Sequence, residues 1–333
     1  MTRRSLREIL SPVDVVSISF LLFLDLLILI FNSRIEQWPS LLLINTFVVA
    51  AILLLAHLAE RPPSAAEAHP SADSLAHLPS ANKLMRGLHR WYCYPIIIFV
   101  FREIYLLVHP IHPTDYDSLL IAVDHALFGV NPTQWLARFS HPLITEILQI
   151  SYFSYYLLFI IMGVEVYRRY PVERFDHAAF LVVYGFYLSY LGYFLLPAIG
   201  PRFTLHDFAQ LDRELPGIFF TGPMRAFINA GESIPKDLSL AKELAQRDVF
   251  PSGHTQMTLV VIYLAFRNEL WSRWFLVVLG SLLIVGTVYL RYHYVVDVVG
   301  GVLFFLLTIW SGNKIEGWWT KGKKPDTGRH PWK

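Results

Sequence analysis

The chain has 333 residues, of which 54% are hydrophobic and only 16% charged, with a formal net charge of +2. That is too apolar and too poor in charge for a water-soluble domain of this length and points to a membrane protein. The single cysteine, Cys93, excludes an intrachain disulfide and a thiolate-rich metal site.

The N-terminal Arg3, Arg4 and Arg7 lead into an apolar run with no small-residue cleavage pattern at Asn32-Ser33-Arg34, which reads as an uncleaved first span. A transmembrane helix needs about 20 mostly apolar residues. On that criterion the chain predicts an all-α integral membrane protein of about eight spans, near 13–31, 40–59, 91–109, 143–167, 175–196, 254–270, 272–291 and 293–311. The first two form an N-terminal pair over residues 1–59, and residues 60–90, rich in Ala, Ser and Pro from Glu60 to Asn82, read as a flexible cytoplasmic linker. Residues 91–312 form a six-helix core, followed by a basic tail over 313–333.

Asp25 in the first span and Arg102 and Glu103 in the third read as polar helix–helix contacts. Within 115–139, Leu119, Leu120, Val123, Leu127 and Phe128 keep helical spacing until Gly129 and Asn131-Pro132 break it, which predicts one or two interfacial helices. Tyr184, Tyr187, Tyr190 and Tyr193 recur every third residue and read as a packed aromatic stripe. The loop over 198–250 is too polar to span and is expected to pack over the site.

If the N-terminus is cytoplasmic, the basic residues near both ends of the chain, in the 60–90 linker, at Arg168, Arg169 and Arg174, and at Arg267 and Arg273 all fall on one side. By the positive-inside pattern both termini are cytoplasmic, in a multi-pass protein of the cytoplasmic membrane. No basic stripe with interleaved aromatics occurs, so no nucleic-acid partner is expected.

Two stretches carry polar residues where polar segments meet apolar runs: Val249-Phe250-Pro251-Ser252-Gly253-His254-Thr255, and Tyr289 to Asp297. Both face outward in this topology. Such groups are costly beside hydrocarbon, so a functional site is the default reading. His293 and Asp297 lie four residues apart, one helical turn, so the carboxylate can orient the ring as a nucleophile or general base. Pro251 breaks the preceding segment and Ser252 can cap the next helix, offering the N–H groups around Gly253 and His254 to an anion. Arg202, in Gly200-Pro201-Arg202-Phe203, and Arg291 are candidates to clamp phosphate oxygens.

With these motifs the chain resembles the type 2 phosphatidic acid phosphatase superfamily, whose second motif is Pro-Ser-Gly-His and whose third ends in His-x-x-x-Asp. Here these are Pro251 to His254 and His293 to Asp297. The run Tyr292 to Gly300 together with Gly200 to Phe203 looks most similar to the branch of inositol phosphorylceramide synthases. The resemblance implies that His293 attacks phosphorus to give a phosphohistidine, Asp297 orients it, and His254 protonates the leaving oxygen. Ser252, Gly253, Arg202 and Arg291 then hold the phosphoryl oxygens, with no metal and no cofactor. The expected partners are a membrane lipid phosphate, the bilayer, and water or an alcohol such as inositol as acceptor.

The chain departs from the family pattern at three places. Leu195 stands where the first motif has Lys, Arg202 follows a Pro instead of preceding it, and Gly286-Thr287 replace the Ser-Arg of the third motif. Arg291 is a candidate to replace that charge. Two other readings fit the residues: a metal-dependent hydrolase with His254, His293 and Asp297 as ligands, and a non-enzymatic lipid or anion transporter.

Overall fold

The computed structural model describes residues 9–59, 81–232, 234 and 240–321. The expected linker up to residue 80, the first arginines and the tail from 322 lie outside them. Among the described residues the regular structure is helical, with no strand.

The elements used below are α1 (Pro12–Ile30), α2 (Trp38–Ala59), α3 (Ala81–Trp91), α4 (Cys93–Ile111), α5 (Asp117–Phe128), α6 (Pro132–Leu136), α7 (Pro142–Phe153) and α8 (Tyr155–Arg169). They continue with α9 (Val172–Leu195), α10 (Pro201–Thr204), α11 (Leu211–Glu214), α12 (Thr221–Gly231), α13 (Ala241–Leu244), α14 (Gly253–Arg267), α15 (Arg273–Tyr289) and α16 (Val295–Thr320). Five are long and apolar enough to cross a membrane: α1, α2, α4, α9 and α16. The pair α7 and α8, bent by 50°, makes a sixth if counted as one span. At 15 residues α14, and at 17 residues the apolar α15, are shorter than a full crossing.

The chain divides into two compact units, one of residues up to Glu103 together with those from Ser311, the other Ile104–Trp310. In the first, α1 starts at a capping box: Asp14 N donates to Ser11 Oγ (3.2 Å) and Ser11 N to Asp14 Oδ2 (2.7 Å). The same carboxylate takes Tyr92 OH at 2.6 Å and His89 Nε2 at 3.0 Å. Deeper in this unit, Asn45 Nδ2 donates to both Asp25 Oδ1 and Glu103 Oε1 at 2.7 Å, so Asp25 and Glu103 do make polar interhelical contacts.

In the second unit α15 packs on α7 and α14, while α9 packs on α8 and α14. Tyr187, Tyr190 and Tyr193 are buried on α9, with ring centroids 6.1 and 5.8 Å apart along the row. The interfacial segment forms two helices, α5 and α6, separated by left-handed Gly129. The head of α14 presses against α16 at Gly301, where a Cβ would lie 2.7 Å from Ser252 O and 2.8 Å from Thr255 Cβ.

This contact sets the spacing of the two signature stretches. Gly301→Ala is expected to destabilise the protein by about 1–3 kcal/mol through overpacking, read as a lower thermal midpoint in detergent. Gly317→Ala, where an added Cβ meets nothing within 4 Å, should leave the midpoint unchanged. Equal midpoints for the two variants would mean that the close approach is not required.

Candidate active site

Three segments converge at one end of the second unit: the strap after α9, the approach to α14, and the turn from α15 into α16. The strap passes over the turn at Gly200, whose φ of 94° and ψ of 165° favour glycine, and where a Cβ would sit 2.9 Å from Tyr292 O. Arg202 N then donates to Arg291 O at 3.1 Å.

The turn itself is a helix C-terminus closed by an unusual residue. Arg291 has φ of 68°, the left-handed conformation that glycine normally supplies, at a steric cost of about 1–2 kcal/mol. Tyr292 N and His293 N both return to Thr287 O, at 2.9 and 3.0 Å. The Arg291 side chain is buried and paired with Glu214.

His293 lies just before α16, and its geometry fixes the tautomers. Nδ1 is 3.0 Å from Val249 O, which can only accept, so Nδ1 carries the hydrogen and Nε2 the lone pair of the neutral ring. His254 Nδ1 faces that lone pair at 3.4 Å and is therefore its donor. Asp297 Oδ2 is 3.5 Å from His293 Nδ1, farther than the carbonyl, and accepts Tyr294 N at 2.7 Å. The structure thus brings Asp297 beside His293 while giving the hydrogen bond on Nδ1 to Val249.

The other stretch forms the start of α14. Ser252 is its N-cap, with Oγ accepting Thr255 N at 3.2 Å, and Gly253 and His254 open the first turn, whose N–H groups have no intrahelical acceptor. Ser252 N donates to Asp297 O at 2.9 Å and ties the two stretches together.

Arg202 is linked to His254 by a column of rings. Its guanidinium lies 4.7 Å over Tyr292; Tyr292 stacks on Tyr152 at 4.2 Å and 7°; Tyr152 stacks on His254 at 4.5 Å. Tyr155 closes the other side at 4.4 Å and donates to Gly253 O. Arg202 pairs with Glu232. Burial opposes its charge, but Glu232 with Tyr292 and Tyr152 outweighs that and holds its pKa above the ordinary value. Burial, reinforced by Glu232 and opposed by Arg202, pushes the neighbouring Asp248 carboxyl up to about 7.

Sequence reasoning missed the supporting carboxylates. Asp124 on α5 accepts Val295 N and Val296 N at 2.9 and 2.8 Å, and Asp117 accepts Ile199 N, Gly200 N and Tyr294 OH at 3.0, 2.8 and 2.7 Å. The signal was present in their spacing, two turns apart on one face of α5 beside buried Leu120. Tyr152, Tyr155, Glu214, Glu232 and Asp248 carried no motif. Among the described residues no group of three or more His, Cys, Asp and Glu side chains has the arrangement to hold a metal. The two histidines turn their nitrogens on each other, and Asp297 stands on the far side of His293.

Residues 118–311, more than half of the chain, match a family model described as PAP2 superfamily. The match takes in both signature stretches and Arg202 and begins after α4, whereas the sequence reading started the core near residue 91. Comparisons with curated proteins and with solved structures return no match. With the Pro-Ser-Gly-His and His-x-x-x-Asp stretches drawn together over one arginine, the family match leads to one conclusion: this all-helical, multi-pass membrane chain belongs to the PAP2 superfamily.

Proposed function

We propose that the protein is a phosphotransferase or phosphatase acting on a membrane lipid phosphate through a phosphohistidine on His293. The observation that carries this reading is the pair of facing nitrogens, His293 Nε2 as lone pair and His254 Nδ1 as donor, 3.4 Å apart. Substrate binding displaces that contact. The Nε2 lone pair then forms the N–P bond as the bond from phosphorus to the leaving oxygen breaks, and His254 gives its proton to that oxygen. In the second half, His254 takes the proton of water or an alcohol as its oxygen attacks phosphorus and frees His293.

Arg202 Nη1 and Arg291 Nε are buried donors without a hydrogen-bond partner among the described residues, suited to phosphoryl oxygens. With the first N–H groups of α14 behind Ser252 and Gly253, they form a preorganised electrostatic site of the kind that dominates such chemistry. Asp297 orients His293 at 3.5 Å and holds the backbone beside it. The roles assigned here require no metal.

In this reading α14 and α15 complete eight spans, both termini are cytoplasmic, and the site opens on the outer side of the cytoplasmic membrane. The N-terminal pair over 1–59 and the linker over 60–90 precede the catalytic core of 91–312. The run Tyr292 to Gly300, with Gly200 to Phe203, supports the inositol phosphorylceramide synthase-like branch and transfer of a phosphoinositol-type head group.

With a labelled lipid phosphate, His293→Ala is expected to give no acid-labile phosphoenzyme. His254→Ala should slow turnover of alkyl phosphates by about 10²–10⁴-fold while still forming phosphoenzyme from an aryl ester with a good leaving group. Labelled phosphoenzyme in His293→Ala would remove that residue as nucleophile, and loss of activity to a strong chelator would favour the metal-dependent reading. Running the assay with and without inositol shows whether label leaves as phosphate or as a new ester.

A pH dependence follows from Asp248. As pH rises through about 7 it loses its proton and sets a second carboxylate near Arg202, so KM for the phosphate substrate should rise on the alkaline side. Asp248→Asn should flatten that rise relative to the unmutated protein. Superimposable KM profiles would count against the role of this charge.

A further inference from the structure

The segment from Gly217 to Gly231 belongs to the loop that sequence reading sets in water over the site, but its surface is not that of an aqueous loop. Phe219 is 78% exposed and Phe227 69%, and Ile218 and Phe220 are exposed as well. The remaining exposed positions, Gly222, Pro223, Ala226, Ala230 and Gly231, have no charge. The one charged residue in the segment, Arg225, is buried and bonded to Asp212 at 2.8 Å. Just before the segment the surface changes character, with Asp212, Arg213 and Glu214 all exposed.

The path of α12 explains this. Glu146 on α7 accepts Ile218 N (2.8 Å), Phe219 N (3.2 Å), Phe220 N (2.6 Å) and Thr221 N (3.3 Å), with Thr221 Oγ1 at 2.7 Å. Six residues on from Thr221, Phe227 meets Phe153 with ring centroids 5.4 Å apart, and Phe153 is seven residues on from Glu146. The two helices therefore run side by side in the same direction, so α12 runs along α7 from its start toward its bend, where Tyr152 and Tyr155 flank His254. The outward face of α7 is itself apolar, with Leu143, Ile144, Ile147 and Ile150 exposed. The phenylalanine face of α12 continues that surface without a charged step.

We infer that residues 217–231 form a membrane-embedded, re-entrant segment whose Phe219, Phe220 and Phe227 face is occupied by the hydrocarbon of the leaflet at the site end. Backbone polar groups in hydrocarbon must be satisfied internally, and here Glu146 supplies the acceptor for the N–H groups of the three residues leading into α12 and of its first residue, Thr221. Exposed to water, this face would be an uninterrupted apolar patch of the kind soluble surfaces avoid. On the lipid-phosphate reading, from which this second step follows, α12 forms one wall of the route from bilayer to site, because Glu232, the next residue, is paired with Arg202.

The test uses the full chain in phosphatidylcholine nanodiscs, with a nitroxide at Phe227→Cys or, separately, Phe219→Cys. The same reagent on the unmutated chain gives the background from Cys93, itself 3% exposed. Collision with a water-soluble nickel chelate should be at least about ten-fold lower than for a label at Arg213→Cys, since polar solutes are excluded from hydrocarbon, and collision with oxygen should match a label at Ile147→Cys. Nickel accessibility equal to that at Arg213→Cys overturns the inference, as does shielding from both probes, the outcome expected if a second copy covers the face. The route to the site is read separately. Phe227→Asp should lower kcat/KM for a long-chain lipid phosphate while sparing a short-chain water-soluble ester, and equal effects on both would overturn it. An unmutated protein that turns over neither substrate would sink the catalytic reading and leave the embedding to the nitroxide result.

Discussion

The last helix lacks an N-cap side chain, and its head is held by one carboxylate of its own first turn and one from a distant helix. Tyr294 stands at the N-cap position, where Ser, Thr, Asp or Asn would normally satisfy the first free N–H groups. Asp297, three residues on, supplies half of a capping box by accepting Tyr294 N. The other half comes from Asp124 on α5, which accepts Val295 N and Val296 N. One helical turn of α16 is thus fixed by a distant helix, and the imidazole of His293 hangs from that turn. Asp117, two turns back on the same face of α5, fixes the strap that carries Arg202 and also takes Tyr294 OH. A single short helix therefore sets the positions of both the proposed nucleophile and the proposed phosphate ligand, and Asp297 serves the backbone at least as directly as it serves the ring.

Charge balance is the second constraint. Two arginines, Arg202 and Arg291, are buried close to the histidine pair, and an unpaired buried guanidinium is strongly destabilising. Each is matched by a carboxylate from the segment between α10 and α14, Glu232 for Arg202 and Glu214 for Arg291. Removing either carboxylate would leave a buried cation, so these acids contribute to the fold of the proposed anion site. A phosphoryl group carries the same charge type and the same bidentate oxygen geometry as a carboxylate. The proposed substrate thus meets arginines that are already oriented, and the ring column from Arg202 through Tyr292 and Tyr152 to His254 keeps that orientation in register with the proton donor.

The two signature stretches were legible because their residues are chemically unusual for their setting: histidines, an aspartate and a Ser-Gly pair beside hydrocarbon. Ser252 as cap followed from its place after Pro251, and the expected topology put His254 and His293 on one side of the membrane. The acceptor on His293 Nδ1 was not legible, since a main-chain carbonyl at Val249 leaves no trace in residue identity. Asp124 was not legible as a cap because its partner lies 171 positions away along the chain. Helix lengths also resisted reading: hydropathy runs on through residues 254–270 and 272–291, while backbone caps and the turn at Arg291 shorten α14 to 15 residues and α15 to 17. The bend between α7 and α8 lies inside an apolar run with Ser154 at its centre, and no proline marks it.

That shortening and that bend are connected to the place of the site. A helix of 15 residues is about 22 Å long, less than the roughly 30 Å of a hydrocarbon core, so α14 by itself falls short of a full crossing. The bend diverts α8 from the line of α7 and lets Tyr155 reach the carbonyl of Gly253. On this side of the site, α12 is the element that follows α7 toward its bend. In the proposed reaction the lipid's tails stay in the bilayer while its phosphate meets the histidine pair, which is the arrangement that an apolar, charge-free outer face on α12 permits.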